Sequence, residues 1–344
     1  MTTPAAAGPH IVSKEAALIT EAFDTPIEDC GDELAGPWRK PKQMLAAQKY
    51  DAHASIHDDE TAQRLGFKGG TIEGPTHFSQ FEPLGAGLWG RAWFENGCIS
   101  AHYRSPVFEG EAVRAFVTKP AAGAKHATIF MRKADGTEVL AGTMSVDQDA
   151  SRAPTALESR LKDLPALAEP VVLRDVVVGM TSPRLTVGMG PDQHMGAYYP
   201  FSLADKLKVI TEPSPWHRAG EGGSASPWGR PIIPFEMLSV LFQHKEDEHR
   251  FPVRGPVVGL FADQEIRVLE GPLFVGEAYE IEREVVALSG SRRTESLWVK
   301  TTAYRAGSSR PVATMLLNAA SIKASYAAYD QVHDALYGGA GSRS

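Results

Sequence analysis

Pro106-Val107-Phe108-Glu109-Gly110-Glu111-Ala112 recurs as Pro272-Leu273-Phe274-Val275-Gly276-Glu277-Ala278, at an offset of 272 − 106 = 166 residues. Each box opens a similar train of strand-like segments. After the first come Glu111–Lys119, Lys125–Lys133 and Glu138–Val146; after the second, Glu277–Leu288, Arg293–Tyr304 and Pro311–Lys323. Turns such as Ala134-Asp135-Gly136 and Ala306-Gly307-Ser308 separate them. One short match can arise by chance, but one followed by matching strands marks a duplicated unit.

Upstream of each box the periodicity changes. Ile72, Phe78, Phe81, Leu84 and Leu88 fall at spacings near three and four, which predicts a helix with one apolar stripe. Its counterpart, Ile232 to Phe242, is apolar nearly all round and so predicts enclosure. A histidine precedes each helix by the same distance, since His57 to Ile72 and His217 to Ile232 are both 15 residues. A long enclosed helix followed by antiparallel strands, twice over, defines an α+β class in which a sheet wraps a helix.

The expected organisation is an N-terminal extension (1–35), a first unit (36–148), a linker (149–170), a second unit (171–328) and a loose C-terminal tail (329–344). The stretch from Asp147 to Pro170 lacks strand alternation and carries three prolines, with a helical turn expected around Ala156 to Leu164. In the extension, Ile11–Phe23 is helix-like. Lys+Arg 35 against Asp+Glu 42 gives a net charge of −7, which argues against a polybasic partner of nucleic acid or anionic membrane. Two cysteines cannot make a disulfide framework, no apolar run is long enough to span a membrane, and no leader pattern opens the chain; a cytoplasmic protein is expected.

These features resemble the tandem hot-dog proteins of the MaoC-like, R-specific enoyl-CoA hydratase family, over most of residues 36–325. The resemblance implies a double hot-dog, two antiparallel sheets each wrapped around a long buried helix. A family unit carries an Asp-x-Asn-Pro-x-His signature, then a helix entered through a His-Gly pair. Here the second unit reads Glu212-Pro213-Ser214-Pro215-Trp216-His217, keeping the carboxylate-to-histidine spacing of 217 − 212 = 5. The first reads Ala52-His53-Ala54-Ser55-Ile56-His57, with Asp51 one residue out of register.

The resemblance implies hydration of a 2-enoyl thioester, or the reverse elimination, by a hydro-lyase. Glu212 and His217 would share a water and divide the acid and base duties. The backbone N–H of Phe235, 235 − 217 = 18 residues on, would receive the developing oxyanion. The same count from His57 lands on Pro75, which has no N–H, so chemistry is expected in the second unit. Ser214, Trp216, Glu73, His77 and His57 are the wider pocket candidates. Each has a plainer reading. The proline-rich Glu212–His217 stretch reads as a surface turn and Ser214 as its shaper, since no G-x-S-x-G elbow surrounds it. Glu73 suits a first helical turn, and Gln243–Arg250 (QHKEDEHR) reads as a solvated loop.

Gly220-Glu221-Gly222-Gly223 lacks the context of a phosphate loop, and no metal-ligand spacing occurs. Neither a metal nor a redox cofactor is implied; coenzyme A would belong to the substrate. The expected partner is a small acyl thioester, and the expected assembly a homo-oligomer, first a dimer. Two rival functions share the fold: a lyase or cyclase on a molecule without coenzyme A, and a non-catalytic protein that binds a ligand or stabilises a partner.

Overall fold

The computed structural model describes residues 21–50, 53–149, 151–220 and 222–338. Asp51 and Ala52, most of Ile11–Phe23 and nearly all of the glycine-rich tail lie outside the described residues. The strands fall close to where the sequence puts them: Val113–Thr118, His126–Lys133 and Glu138–Ser145 after the first box, Ala278–Gly290, Thr294–Arg305 and Pro311–Ile322 after the second. Gly110 and Gly276 both take a positive φ, 86° and 77°, so the repeated box is one turn used twice.

All these strands belong to one antiparallel sheet of eleven, not to the two sheets expected. Outward from the middle, the first half runs Cys98–Tyr103, Glu138–Ser145, His126–Lys133, Val113–Thr118, Glu33–Ala35 and Glu28–Asp29. The second runs Gly259–Val268, Pro311–Ile322, Thr294–Arg305, Ala278–Gly290 and Leu185–Gly188. The halves merge because each ends on an edge strand whose free backbone groups need partners. Cys98–Tyr103 pairs with Gly259–Val268, with Ile266 opposite Ile99 and Asp263 opposite His102.

The segment between the halves closes this seam from outside. Its helix Ala156–Lys162 starts at a capping box of Thr155 and Glu158. The N–H groups of Ala156 and Leu157 donate to Thr143 Oγ1 (3.1 Å) and Ser100 Oγ (3.0 Å), and Thr155 Oγ1 donates to Glu265 Oε2 (2.5 Å). Both sides of the seam are thereby tied to one short helix.

Two central helical segments lie on the concave face. The second is the α-helix Phe235–Gln243, buried along its whole length. The first is not the single helix expected but a 3-10 segment Gly74–Phe81 followed by an α-helix Glu82–Trp89. Pro75 and Pro83 sit at the start of each piece, where a missing N–H is tolerated, and Pro83 cannot donate back across the join. Nor is the polar side exposed, since Glu73, His77, Gln80 and Glu82 are all buried. The two segments meet at rings, with Phe235 centred 6.4 Å from Phe78 and 5.3 Å from Trp93.

Candidate functional site

Backbone hydrogen bonds show which positions of the two halves correspond. Thr71 N–H donates to Ile56 O (3.2 Å), and Ile232 N–H donates to Trp216 O (2.9 Å). Ile72 N–H donates to Val107 O (2.7 Å), and Ile233 N–H to Leu273 O (2.9 Å). His57 and His217, each one residue after an accepting carbonyl, are therefore equivalent. Along the helix entries the offset is 233 − 72 = 161, which pairs Phe235 with Gly74. The count that landed on Pro75 is one residue long, because the loop between histidine and helix differs by one residue between the halves. Gly74, unlike proline, has an N–H, and at the first position of its segment no intrahelical carbonyl takes it. A Cβ at Gly74 would overlap the Tyr103 ring, so only glycine fits there.

In the second half the signature residues are buried and tightly held. Glu212 is 1% exposed. It accepts from Arg39 Nε (2.7 Å) and Nη2 (3.0 Å) and from Thr25 Oγ1 (2.6 Å). His217, also 1% exposed, packs edge-on to Phe23 at 6.3 Å, and neither ring nitrogen has a hydrogen-bond partner among the described residues. Burial, with Arg218 nearby, lowers its imidazole to about 3. Phe235 N–H donates to Glu82 Oε1 (2.8 Å), while Glu82 Oε2 stands 4.0 Å from His217 Nε2. Burial pushes Glu82 up to about 8, against the Phe235 N–H and with the help of Glu236 and Glu212. Ser214 Oγ accepts from Trp216 N–H (3.2 Å) and so shapes the turn, and Trp216 packs 4.9 Å from Phe94. The segment around residues 23–39 thus covers the Glu212–His217 pair.

The first half faces open space. A cavity of about 720 Å³ is lined by His57, Glu73, Gly74, His77 and Tyr103 from the first half and by strand residues of the second; Glu212, Ser214, Trp216, His217 and Phe235 are not in its walls. Glu73, 8% exposed, accepts from Tyr199 Oη (2.8 Å). Burial raises its carboxyl to about 7, against Tyr199 and Lys206 and with Glu236 adding. His57 Nδ1 meets Thr71 O at 2.7 Å, which assigns the ring proton to Nδ1 and leaves the Nε2 lone pair. Burial lowers this imidazole to about 4 against that hydrogen bond. His77, lowered to about 3 by burial and then by Lys206 and Lys133, has no partner for Nδ1 among the described residues. One cavity therefore holds a carboxyl poised near neutrality, two neutral imidazoles and a helix-start N–H.

Several participants carry no sequence motif. Lys206, 4% exposed, pairs with Glu236 at 2.9 Å and sets part of the field at Glu73 and His77. Tyr199, Glu82 and Arg39 are lone residues without spacing to flag them. Glu246, His249 and Arg250, within the stretch expected to be solvated, line the cavity, and Gln243 is a buried helix end. One signal was readable: Tyr279, Ile281, Arg283 and Val285 alternate inward along Ala278–Gly290, with a cation in an apolar row. Among the described residues no group of three or more His, Cys, Asp or Glu is placed to hold a metal, and no helix is long and apolar enough to cross a membrane.

No family model matches the sequence, and no curated protein matches it. Solved structures do. A conserved hypothetical protein from Mycobacterium tuberculosis with a double hotdog fold superposes with a TM-score of 0.50 at 12% identity, covering 88% of this chain and 98% of that one. A putative MaoC domain protein dehydratase from Chloroflexus aurantiacus J-10-fl gives 0.49 at 13% identity, covering 88% and 95%. The chain has the double hot-dog fold, with its two halves joined in one sheet.

Proposed function

We propose that the protein is a hot-dog hydro-lyase that interconverts a 3-hydroxyacyl and a 2-enoyl thioester in the cavity of its first half. The observation that carries this reading is the joint presence of Glu73, His57 and Gly74 in one cavity wall. In the elimination, His57 Nε2 takes the α-proton, and Gly74 N–H receives the charge that develops on the thioester oxygen. Glu73, protonated at its raised pKa, gives its proton to the departing hydroxyl, which leaves as water. The imidazolium then returns its proton to Glu73 through that water. Addition runs the same steps backwards. The link to coenzyme A comes from the family resemblance and from Arg250, Arg254 and Arg293, solvent-reaching side chains in the same wall that suit a phosphate-bearing carrier.

A second reading keeps the chemistry at Glu212, His217 and the Phe235 N–H. The partnerless nitrogens of His217 beside the raised carboxyl of Glu82 favour it. It requires Arg39 to release Glu212 and Glu82 to release Phe235. Hydration of a short and a medium trans-2-enoyl-CoA, followed by loss of the conjugated thioester absorbance, separates the two. Glu73→Gln and His57→Gln are expected to lose turnover while folded Glu212→Gln keeps it within a few-fold. The reverse pattern moves the chemistry to the second half. No turnover on any enoyl-CoA by folded protein leaves a lyase on a different substrate or a ligand-binding protein.

A further inference from the structure

We propose that Arg283 forms an anion-binding subsite in this cavity, so that the bound acyl group carries a carboxylate, or a comparable anionic group, at its far end. The inference rests on the reading of the cavity as the acyl pocket, but not on which reaction follows. Arg283 lies on Ala278–Gly290, where inward positions alternate as Tyr279, Ile281, Arg283 and Val285, and it is 4% exposed. A cation at a core position is retained only where its donors are used. Part of that need is met structurally: Nη2 donates to Phe242 O (2.9 Å) and His244 O (3.0 Å), carbonyls at the end of the helix Phe235–Gln243. The other terminal nitrogen, Nη1, is buried with no hydrogen-bond partner among the described residues. Helix capping accounts for one nitrogen and leaves the other without a role.

The walls leading to Arg283 are apolar. On Thr294–Arg305 the lining residues are Leu297, Val299 and Thr301; on Pro311–Ile322 they include Leu317 and Met315. In register, Leu317 faces Val299, Met315 faces Thr301, and Thr301 faces Arg283. An alkyl chain on this track meets hydrocarbon until it reaches the guanidinium. The reacting groups are near: Gln243, beside the capped Phe242, donates to Tyr199 Oη (3.4 Å), which donates to Glu73 Oε1 (2.8 Å). The distance between the two sites suits a short to medium chain. Glu246 also lines the cavity and lies within electrostatic reach of Arg283, but burial raises its carboxyl, and no ion pair joins the two. A carboxylate that accepts from Nη1 would occupy the donor that Glu246 leaves unused.

The test is binding, measured by calorimetry on the full chain. The probes are the monomethyl esters of butanedioic, hexanedioic and octanedioic acid against their dimethyl esters. Adenosine 3′,5′-bisphosphate stands in for the carrier's phosphates. The wild type is expected to bind at least one half-ester roughly tenfold tighter than its diester, as befits one charge-assisted contact. That preference should vanish in Arg283→Met and in Arg283→Gln, with bisphosphate affinity unchanged. Glutamine keeps a donor for the helix carbonyls if methionine prevents folding, and the acid-over-ester preference of the wild type needs neither variant. Equal binding of acid and ester, binding of no probe, a preference that persists without the arginine, or a loss confined to the bisphosphate each overturns the subsite. Turnover of plain enoyl-CoA that depends on Glu73 would survive all four, so this failure is distinct from failure of the lyase reading.

Discussion

Replacing Glu73 by glutamine should make the protein more stable and less active at once. Glu73 is buried, and its carboxyl lies at about 7 instead of 4.5. The folded state therefore holds this proton more tightly than the unfolded chain does. The stabilisation is complete below the unfolded value and is lost as pH rises through the folded one. A shift of 7 − 4.5 = 2.5 units corresponds to about 3 kcal/mol in total, most of it falling between about pH 5 and pH 8. Glutamine mimics the neutral acid in shape, can still accept from Tyr199, and does not titrate. In urea unfolding followed by tryptophan fluorescence, the variant should gain about 2 to 3 kcal/mol on the wild type between those pH values. Glu82 titrates in both proteins and cancels from the difference. The same substitution removes the proposed acid, which is worth on the order of 100- to 10,000-fold in rate. With His57 at about 4 and Glu73 at about 7, kcat/KM should follow a bell with limbs near those values. Addition and elimination need the same total number of protons on the pair, so both directions share the bell. A stability difference flat in pH would refute the assignment of a buried, raised carboxyl, and unchanged turnover would remove Glu73 from the chemistry.

Arg39→Met leaves Glu212 buried without its bidentate partner and should cost roughly 3 kcal/mol, much of it recovered by adding Glu212→Leu; paired urea titrations of single and double variants measure this. Gly74→Ala places a methyl group on the Tyr103 ring and should cost about 1–3 kcal/mol, with lower enoyl-CoA turnover as the helix start shifts. Ile266→Ala, at a fully buried position opposite Ile99 on the seam, should cost about 2–5 kcal/mol. Because one sheet joins the halves, circular dichroism and fluorescence should still report a single coincident transition; two separated transitions would contradict a shared core.

How far the fold could be read from sequence depended on which interactions are local. Strands such as Val113–Thr118 alternate between buried and part-exposed residues, so a period of two is written into them. The pairing of Cys98–Tyr103 with Gly259–Val268 is a contact between remote edges, and nothing in either segment's periodicity names its partner. At the candidate site, the equivalence of His57 and His217 was legible because both precede an apolar run at equal distance. The matching of Phe235 with Gly74 was not, since a one-residue difference in loop length is invisible until the hydrogen bonds to Val107 and Leu273 fix the register. The covering of Glu212 by Arg39 and Thr25 spans well over a hundred residues of chain, beyond any local motif.

The two halves answer the same local plan with opposite packing. Where the first has Gly74, the second has Phe235, whose ring stacks on Trp93 and lies against Phe78, filling the space between the helices. Where the first leaves His57 in a cavity wall, the second encloses His217 under Phe23, with Glu212 neutralised by Arg39. A solid second site has a consequence for the first. The helix Phe235–Gln243 is anchored at its start by Phe235 and Glu82 and at its end by Arg283, so the second sheet stays open beneath its C-terminal end. The cavity takes its titratable wall from one half and its apolar wall from the other. Under the proposed reading neither half would turn over substrate alone, and the intact seam of Ile99 and Ile266 is as necessary to the reaction as Glu73.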